Sequence, residues 1–161
     1  MSAPVDVADA ALKTALAQAL VGGAFIPTAE ALALNPDGPC EPNGDETEVQ
    51  TSAQLFTLDV RKVRPLMGSG MPRWVVDRTC RLELAVFGPV PAGQDDHPAR
   101  LAAALNLVAA ISADSPTLGG TCERFEITGQ EDDDLPPNGQ KVSLGFTYRL
   151  RAGDPLGRTA P

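Results

Sequence analysis

The sequence predicts an α+β fold in two layers, with about four mainly antiparallel strands covered on one face by two helices. Three observations carry this. Period-2 alternation of apolar and polar residues recurs at 53–62, 74–87, 121–128 and 141–151, and each stretch offers one apolar face, the mark of a half-buried strand. Two other stretches, near 7–21 and 97–113, instead repeat apolar residues at helical spacing. The order is helix, strand, strand, helix, strand, strand. Short connections within each strand pair favour antiparallel neighbours, and one apolar face per strand needs only one helical layer to cover it.

The first helix has Asp6 as its expected N-cap and Asp9 in the capping-box position. Its apolar stripe is Leu12, Leu16, Ala19 and Leu20, and Gly22-Gly23 ends it. Thr28 is placed to cap a turn or two of helix reaching Leu34. Residues 35–52, rich in Pro, Gly and acid, read as an exposed loop or arm. In the strand 53–62, Phe56, Leu58 and Val60 face one way. A connection at 63–73 with Pro65, Met67, Gly68, Gly70, Met71 and Pro72 then joins it to the next strand as a long hairpin.

The stretch 74–120 organises the chain. Trp74, Val76, Cys80, Leu82, Leu84 and Val86 lie on one strand face, with Asp77, Thr79, Arg81 and Glu83 on the other, and Arg78 interrupts the apolar face. A Pro/Gly linker at 88–96 leads to a helix with Leu101, Leu105, Val108 and Ile111 or Ser112 on one stripe. Asp95 and Asp96 complement its N-terminus, and Pro98 suits its first turn. Ala102, Ala103, Ala109 and Ala110 form a small-residue face, either a close-approach surface or helix-forming filler. Leu118-Gly119-Gly120 turns into the strand 121–128, where Phe125 and Ile127 share a face. An acidic loop is expected at 129–140. The strand 141–151 alternates most regularly, and 152–161 reads as a loose tail.

The chain has 161 residues, enough for one domain with its own core. Hydrophobic residues make up 43% but aromatics only 4%, so Leu, Val and Ala must build that core. Thirteen basic against 21 acidic residues leave a net charge of −8, which argues against binding nucleic acid or an anionic membrane through a basic face. The three cysteines, Cys40, Cys80 and Cys122, have no framework or zinc spacing. A reducing interior is the default compartment for them. The N-terminal residues lack the basic-then-apolar pattern of a secretory leader, and no apolar run approaches the roughly 18 residues of a membrane span.

Reactive groups are sparse. His97 is the one histidine, in the first turn of a helix, where a surface role competes with that of a general base. Gly68-Ser69-Gly70 lacks the Lys-Ser/Thr end of a phosphate loop. Glu131, Asp132, Asp133 and Asp134 offer four carboxylates in a row, without the alternate spacing and glycine of a calcium loop. They read as a solvated acidic loop first, a subunit contact second and a divalent-ion site last. Met67 and Met71 lie among glycines in a loop, where exposed apolar side chains mark a contact surface. No catalytic residue, cofactor-binding set or metal site is expected. The candidate contacts to a subunit or partner are Met67, Met71, Glu131, Asp132, Asp133 and Asp134.

The string Ala110-Ile111-Ser112-Ala113-Asp114-Ser115-Pro116-Thr117-Leu118-Gly119-Gly120 resembles the helix–A-D-x-T-L-G-G–strand segment of tail terminator and tail-completion proteins of tailed phages. The ending Phe146-Thr147-Tyr148-Arg149-Leu150-Arg151-Ala152-Gly153-Asp154-Pro155 is similar to the Y-R…D-P string near that family's last strand. The element order matches over roughly residues 5–155, and the longer, more acidic 24–52 departs from it. The resemblance implies a structural protein without an active site or cofactor. It would form a ring, commonly of six subunits, at the head-proximal end of the tail tube. Its implied partners are further copies of itself, the tube protein and the head-tail connector, with DNA passing through without specific binding and no membrane. It implies a place in the virion tail of a phage or gene transfer agent, assembled in the host cytoplasm. The rival readings are another connector or tube subunit, and a small cytosolic ligand-binding domain or enzyme, which would need a pocket of convergent polar groups.

Overall fold

Strand Arg73–Phe87 runs through the middle of the molecule, and its alternation decides where everything else packs. Val76, Cys80, Leu82, Leu84 and Val86 on its even face are buried in the main core. The computed structural model describes residues 3–36, 49–66, 73–90, 92–93, 96–135 and 139–159. In chain order the elements are α1 (Pro4–Gly22), β1 (Leu32–Leu34), β2 (Gln50–Leu66), β3 (Arg73–Phe87), α2 (His97–Asp114), β4 (Arg124–Leu135) and β5 (Gly139–Ala152). They form an α+β fold with two helices packed on one face of a five-stranded mixed sheet of order β1-β2-β3-β5-β4.

The sheet is larger than the four strands expected, for two reasons. Residues 32–34, expected as the end of a short helix, are the parallel strand β1, paired with Ala53–Leu55 of β2. Thr28 makes no side-chain cap, and only a 3-10 turn at Ala29–Ala31 precedes the strand. The acidic stretch expected as a loop at 129–140 is also strand. β4 continues to Leu135, in register with β5 from Gly129↔Gly145 to Leu135↔Gly139. Charge alone does not make a loop: an edge strand tolerates acids on both faces because both remain wet.

The face expected for β2 needs correction as well. Ala53 and Leu55 lie in the helix-side core, whereas Phe56 is on the other face and Leu58 is exposed. Thr57 pairs with Cys80 and Val60 with Arg78, and a bulge between them shifts Val60 back to the helix side. One extra residue reverses the face of everything beyond it. β2 also begins at Gln50, so the arm expected at 35–52 is strand at its end; residues 37–48, with Cys40, lie outside the described residues.

Both helices present the expected stripes, with adjustments. In α1 Val5, Ala8, Leu12, Leu16, Ala17 and Leu20 are buried. Its N-cap is Ala3 with no side-chain cap, not Asp6, because Pro4 already starts the helix. At the other end Ala24 takes the left-handed conformation (φ 57°). Gly23 serves packing instead, since a Cβ there would collide with the Leu107 side chain of α2. In α2 Leu101, Ala104, Val108 and Ile111 are buried, while Ala102, Ala103, Ala109 and Ala110 face outward. Asp96 caps α2, accepting from Ala99 N at 2.9 Å. Asp96→Ala is expected to lower stability by about 1 kcal/mol, read from the midpoint of a urea unfolding curve.

The exit from α2 is a tight turn. Leu118, Gly119 and Gly120 all have positive φ (49°, 70° and 84°), and only Leu118 carries a side chain, which is buried as an anchor. Cys122 N donates to Thr117 O at 3.2 Å and Phe125 N to Pro116 O at 3.0 Å, which starts β4. The tail expected to be loose is a hydrogen-bonded turn as far as Thr159. Asp154 Oδ1 accepts from Arg158 N and Thr159 N, both at 2.8 Å, and Gly157 O accepts from Val5 N at 3.1 Å, tying the turn to the start of α1.

Candidate functional site

Arg78 was the one charge on the apolar face of β3, and its partner comes from α1. Its Nε and Nη2 donate to Asp9 Oδ1 and Oδ2 at 3.2 and 2.8 Å, a two-pronged pair that fixes the helix on the sheet. Burial raises the Asp9 pKa above the usual carboxylate range, with Arg78 opposing that shift. Nearby Cys80 Sγ lies 3.6 Å from the buried Tyr148 hydroxyl. Burial pushes the Cys80 thiol up to about 12 and that of Cys122 up to about 11, so neither supplies thiolate near neutral pH.

The face of the sheet away from the helices is laced with ion pairs. Arg149 Nε lies 3.1 Å from Asp77 Oδ1, and Arg124 Nε lies 3.2 Å from Glu126 Oε1. Arg151 pairs with Glu123. Glu83, only 8% exposed, lies between Lys141 at 3.6 Å and Arg81 at 3.5 Å. The Arg81 guanidinium stacks 5.0 Å from the Phe56 ring centre. Gln54, in register with Glu83, is equally buried, and its Oε1 has no hydrogen-bond partner among the described residues. This face is polar but structured: Ala85 and Phe87 are buried in it as a second, smaller apolar cluster.

The residues singled out in the sequence fall as follows. Glu131 and Asp132 are exposed on β4, the edge strand of the sheet. Asp133 and Asp134 continue that strand in register with Lys141 and Gln140, but their side chains lie outside the described residues. Met67, Met71 and Gly68-Ser69-Gly70 also lie outside the described residues. His97 begins α2 with Nε2 2.8 Å from Gly88 O, which closes the linker onto the helix. No group of three potential metal ligands occurs among the described residues. Depressions of about 290 to 560 Å³ indent the described surface. One of about 560 Å³, between α1 and the turn after it, is lined by Lys13, Thr14, Ala17, Gln18, Val21 and Glu30 among others. Another, of about 290 Å³, lies over the Asp77–Arg149 pair. No helix among the described residues is long and apolar enough to cross a membrane.

Sequence reasoning missed the Asp9–Arg78 pair, although a lone Arg on an apolar strand face is the signal for a buried acid opposite. It also missed that the acids at 131–134 belong to a sheet edge. No protein-family model matches the chain, and no curated protein matches it.

Proposed function

We propose that this chain is a structural subunit of a ring at the head-proximal end of a phage or phage-like tail tube, where it ends tube growth and joins the tail to the head connector. The observation that supports it most is the turn after α2. The string ending Thr117-Leu118-Gly119-Gly120 resembles a family segment between a helix and a strand, and here it links α2 to β4 with three consecutive positive φ values. The Tyr148-Arg149…Asp154-Pro155 string likewise spans the end of β5 and the turn beyond it.

The physical properties fit such a part. The exposed chemistry consists of ion pairs over a sheet face and acids along one edge, which suits contact between protein surfaces. A net charge of −8 disfavours adhesion of a polyanion, so DNA passes an acidic lumen without being held. The acids of β4 contribute to that lumen, its rim or a subunit contact, and Met67 and Met71 to a contact with a neighbour. The protein acts without a cofactor or catalytic residues, in the virion tail, after assembly in the host cytoplasm.

Inactivating the gene in a strain that makes the particles tests this. Electron microscopy is expected to show tubes of uncontrolled length and heads without tails. Tails of normal length joined to heads would overturn the proposal. Tails of normal length that fail to join heads would move the chain to a connector role and also reject tube termination.

A further inference from the structure

The sheet has two edges, and they differ in cover and in charge. One edge is β4, which pairs only with β5 among the described residues. The other is β2, whose first part is covered by β1 at Ala53, Gln54 and Leu55. Asn35 ends that cover. Its N–H donates to Leu55 O at 2.8 Å, its Oδ1 accepts from Thr57 N at 2.9 Å, and its Nδ2 donates to Thr57 Oγ1 at 3.0 Å. Beyond Thr57 no described strand pairs with this side of β2.

The half of β2 that no described strand covers holds Asp59 at its start and is basic beyond it. Its stretch Val60–Leu66 carries Arg61, Lys62 and Arg64 and no acid, and Arg73 begins β3 beside it. The half of β4 from Gly129 to Leu135 carries Glu131, Asp132, Asp133 and Asp134 and no base. Arg64, Arg73, Glu131 and Asp132 are all exposed, and none has an ion-pair partner among the described residues. Apolar surface lies beside the basic edge too. Leu34 and Leu58 are 44% and 45% exposed, and a depression of about 510 Å³ there sets Val5, Leu58, Val60 and Leu156 beside the charged Asp6, Arg78 and Arg158. An uncovered edge with an exposed apolar margin is a template for another strand.

We propose that copies of this chain join edge to edge, the basic half of β2 in one copy pairing with the acidic half of β4 in the next. This deepens the ring reading above and rests on it for the biological setting. In copies held the same way up, β2 and β4 run in opposite directions, so the contact continues the antiparallel sheet. The two patches lie on opposite edges, so each copy uses a different surface on each side, and the contact propagates head to tail into a closed ring or a filament. The patches are also at different heights. Asp132 is level with Leu84 of β3 and Lys62 with Val76, eight residues or about 26 Å along the strand. A closed ring then requires strands inclined to its axis, as in a barrel.

The test uses two charge-reversed full-length chains, R61E/K62E/R64E/R73E and E131K/D132K/D133K/D134K, which carry four like charges on each edge, and sedimentation velocity at low salt, with circular dichroism melts to confirm that both fold. Each variant alone presents like charges on both edges and is expected to lose the higher-mass species that the wild type forms. An equal mixture places opposite charges at every contact, so the higher mass returns, in species with even numbers of chains. Either variant alone keeping the wild-type mass would overturn the proposal. So would a folded mixture that stays monomeric, or a wild type that is monomeric up to millimolar concentration. The tail reading has its own readout in the gene deletion. Assembly unaffected by these changes with over-long tails on deletion rejects edge pairing alone. Edge-dependent assembly with normal tails on deletion rejects the tail role alone.

Discussion

Arg78→Ala is expected to lower the stability of the fold by about 2–4 kcal/mol, towards the lower part of the range for a broken buried ion pair because the Arg78 and Asp9 side chains keep 16% and 13% of their exposure. The substitution removes two charge-assisted hydrogen bonds and leaves Asp9 desolvated without a counter-charge. The direction of the pH dependence follows. Burial raises the Asp9 pKa above its ordinary value of 3.8, so the folded state binds that proton more tightly than the unfolded chain. That contribution to stability is complete below the ordinary pKa and is lost as pH rises through the raised one. Protonated Asp9 needs no counter-charge, so the Arg78→Ala penalty is largest near neutrality and shrinks in acid. A double replacement, Asp9→Leu with Arg78→Met, is expected to recover most of the loss. Urea unfolding of the single and double variants at pH 7 and pH 4 checks both statements; a single variant as stable as the wild type at pH 7 would mean that the pair does not hold α1 to the sheet.

Phe146→Ala should cost more, about 3–5 kcal/mol. Phe146 is 1% exposed on the helix face of β5, and its ring lies 6.4 Å from that of Phe125 on β4. The substitution removes a whole ring from the core and strips Phe125 of its ring contact. The loss is a substantial part of the roughly 5–15 kcal/mol that holds a domain of this kind together, so the melting temperature should fall by many degrees. Leu58→Ala, at an exposed position, is the matched control and should change stability by less than about 0.5 kcal/mol. Equal effects at the two positions would contradict the assignment of faces in β2 and β5.

Where the pattern was strict, the sequence sufficed. β5 alternates without interruption, and its five apolar residues Val142, Leu144, Phe146, Tyr148 and Leu150 are all buried. β3 buried Val76, Cys80, Leu82, Leu84 and Val86 of its expected face, with Trp74 partly buried, and both helices buried most of the stripe their spacing implied. The failures have local causes. Alternation across 53–60 put Phe56 on the wrong face because its ring packs under Arg81 on the far side while the smaller Ala53 and Leu55 face the helices, and only the bulge after Thr57 brings Val60 back to the helix side. β1 is three residues long, too short for any period to show, and is held by pairing with β2 and by Asn35. The acids of β4 resembled a loop because the signal for a strand is apolar alternation, which a solvent-facing edge does not need. The opposition between a basic and an acidic edge was written in the sequence, at 61–64 and 131–134, but only the strand order places the two stretches on opposite sides of one sheet.

Sedimentation equilibrium of the full-length protein, from micromolar to millimolar and at low and high salt, is the most direct test of head-to-tail self-assembly. A closed ring predicts one discrete species, about 101 kDa for six chains of 16.8 kDa each, which dissociates as salt screens the edges. A single 16.8 kDa species across the whole range would contradict it.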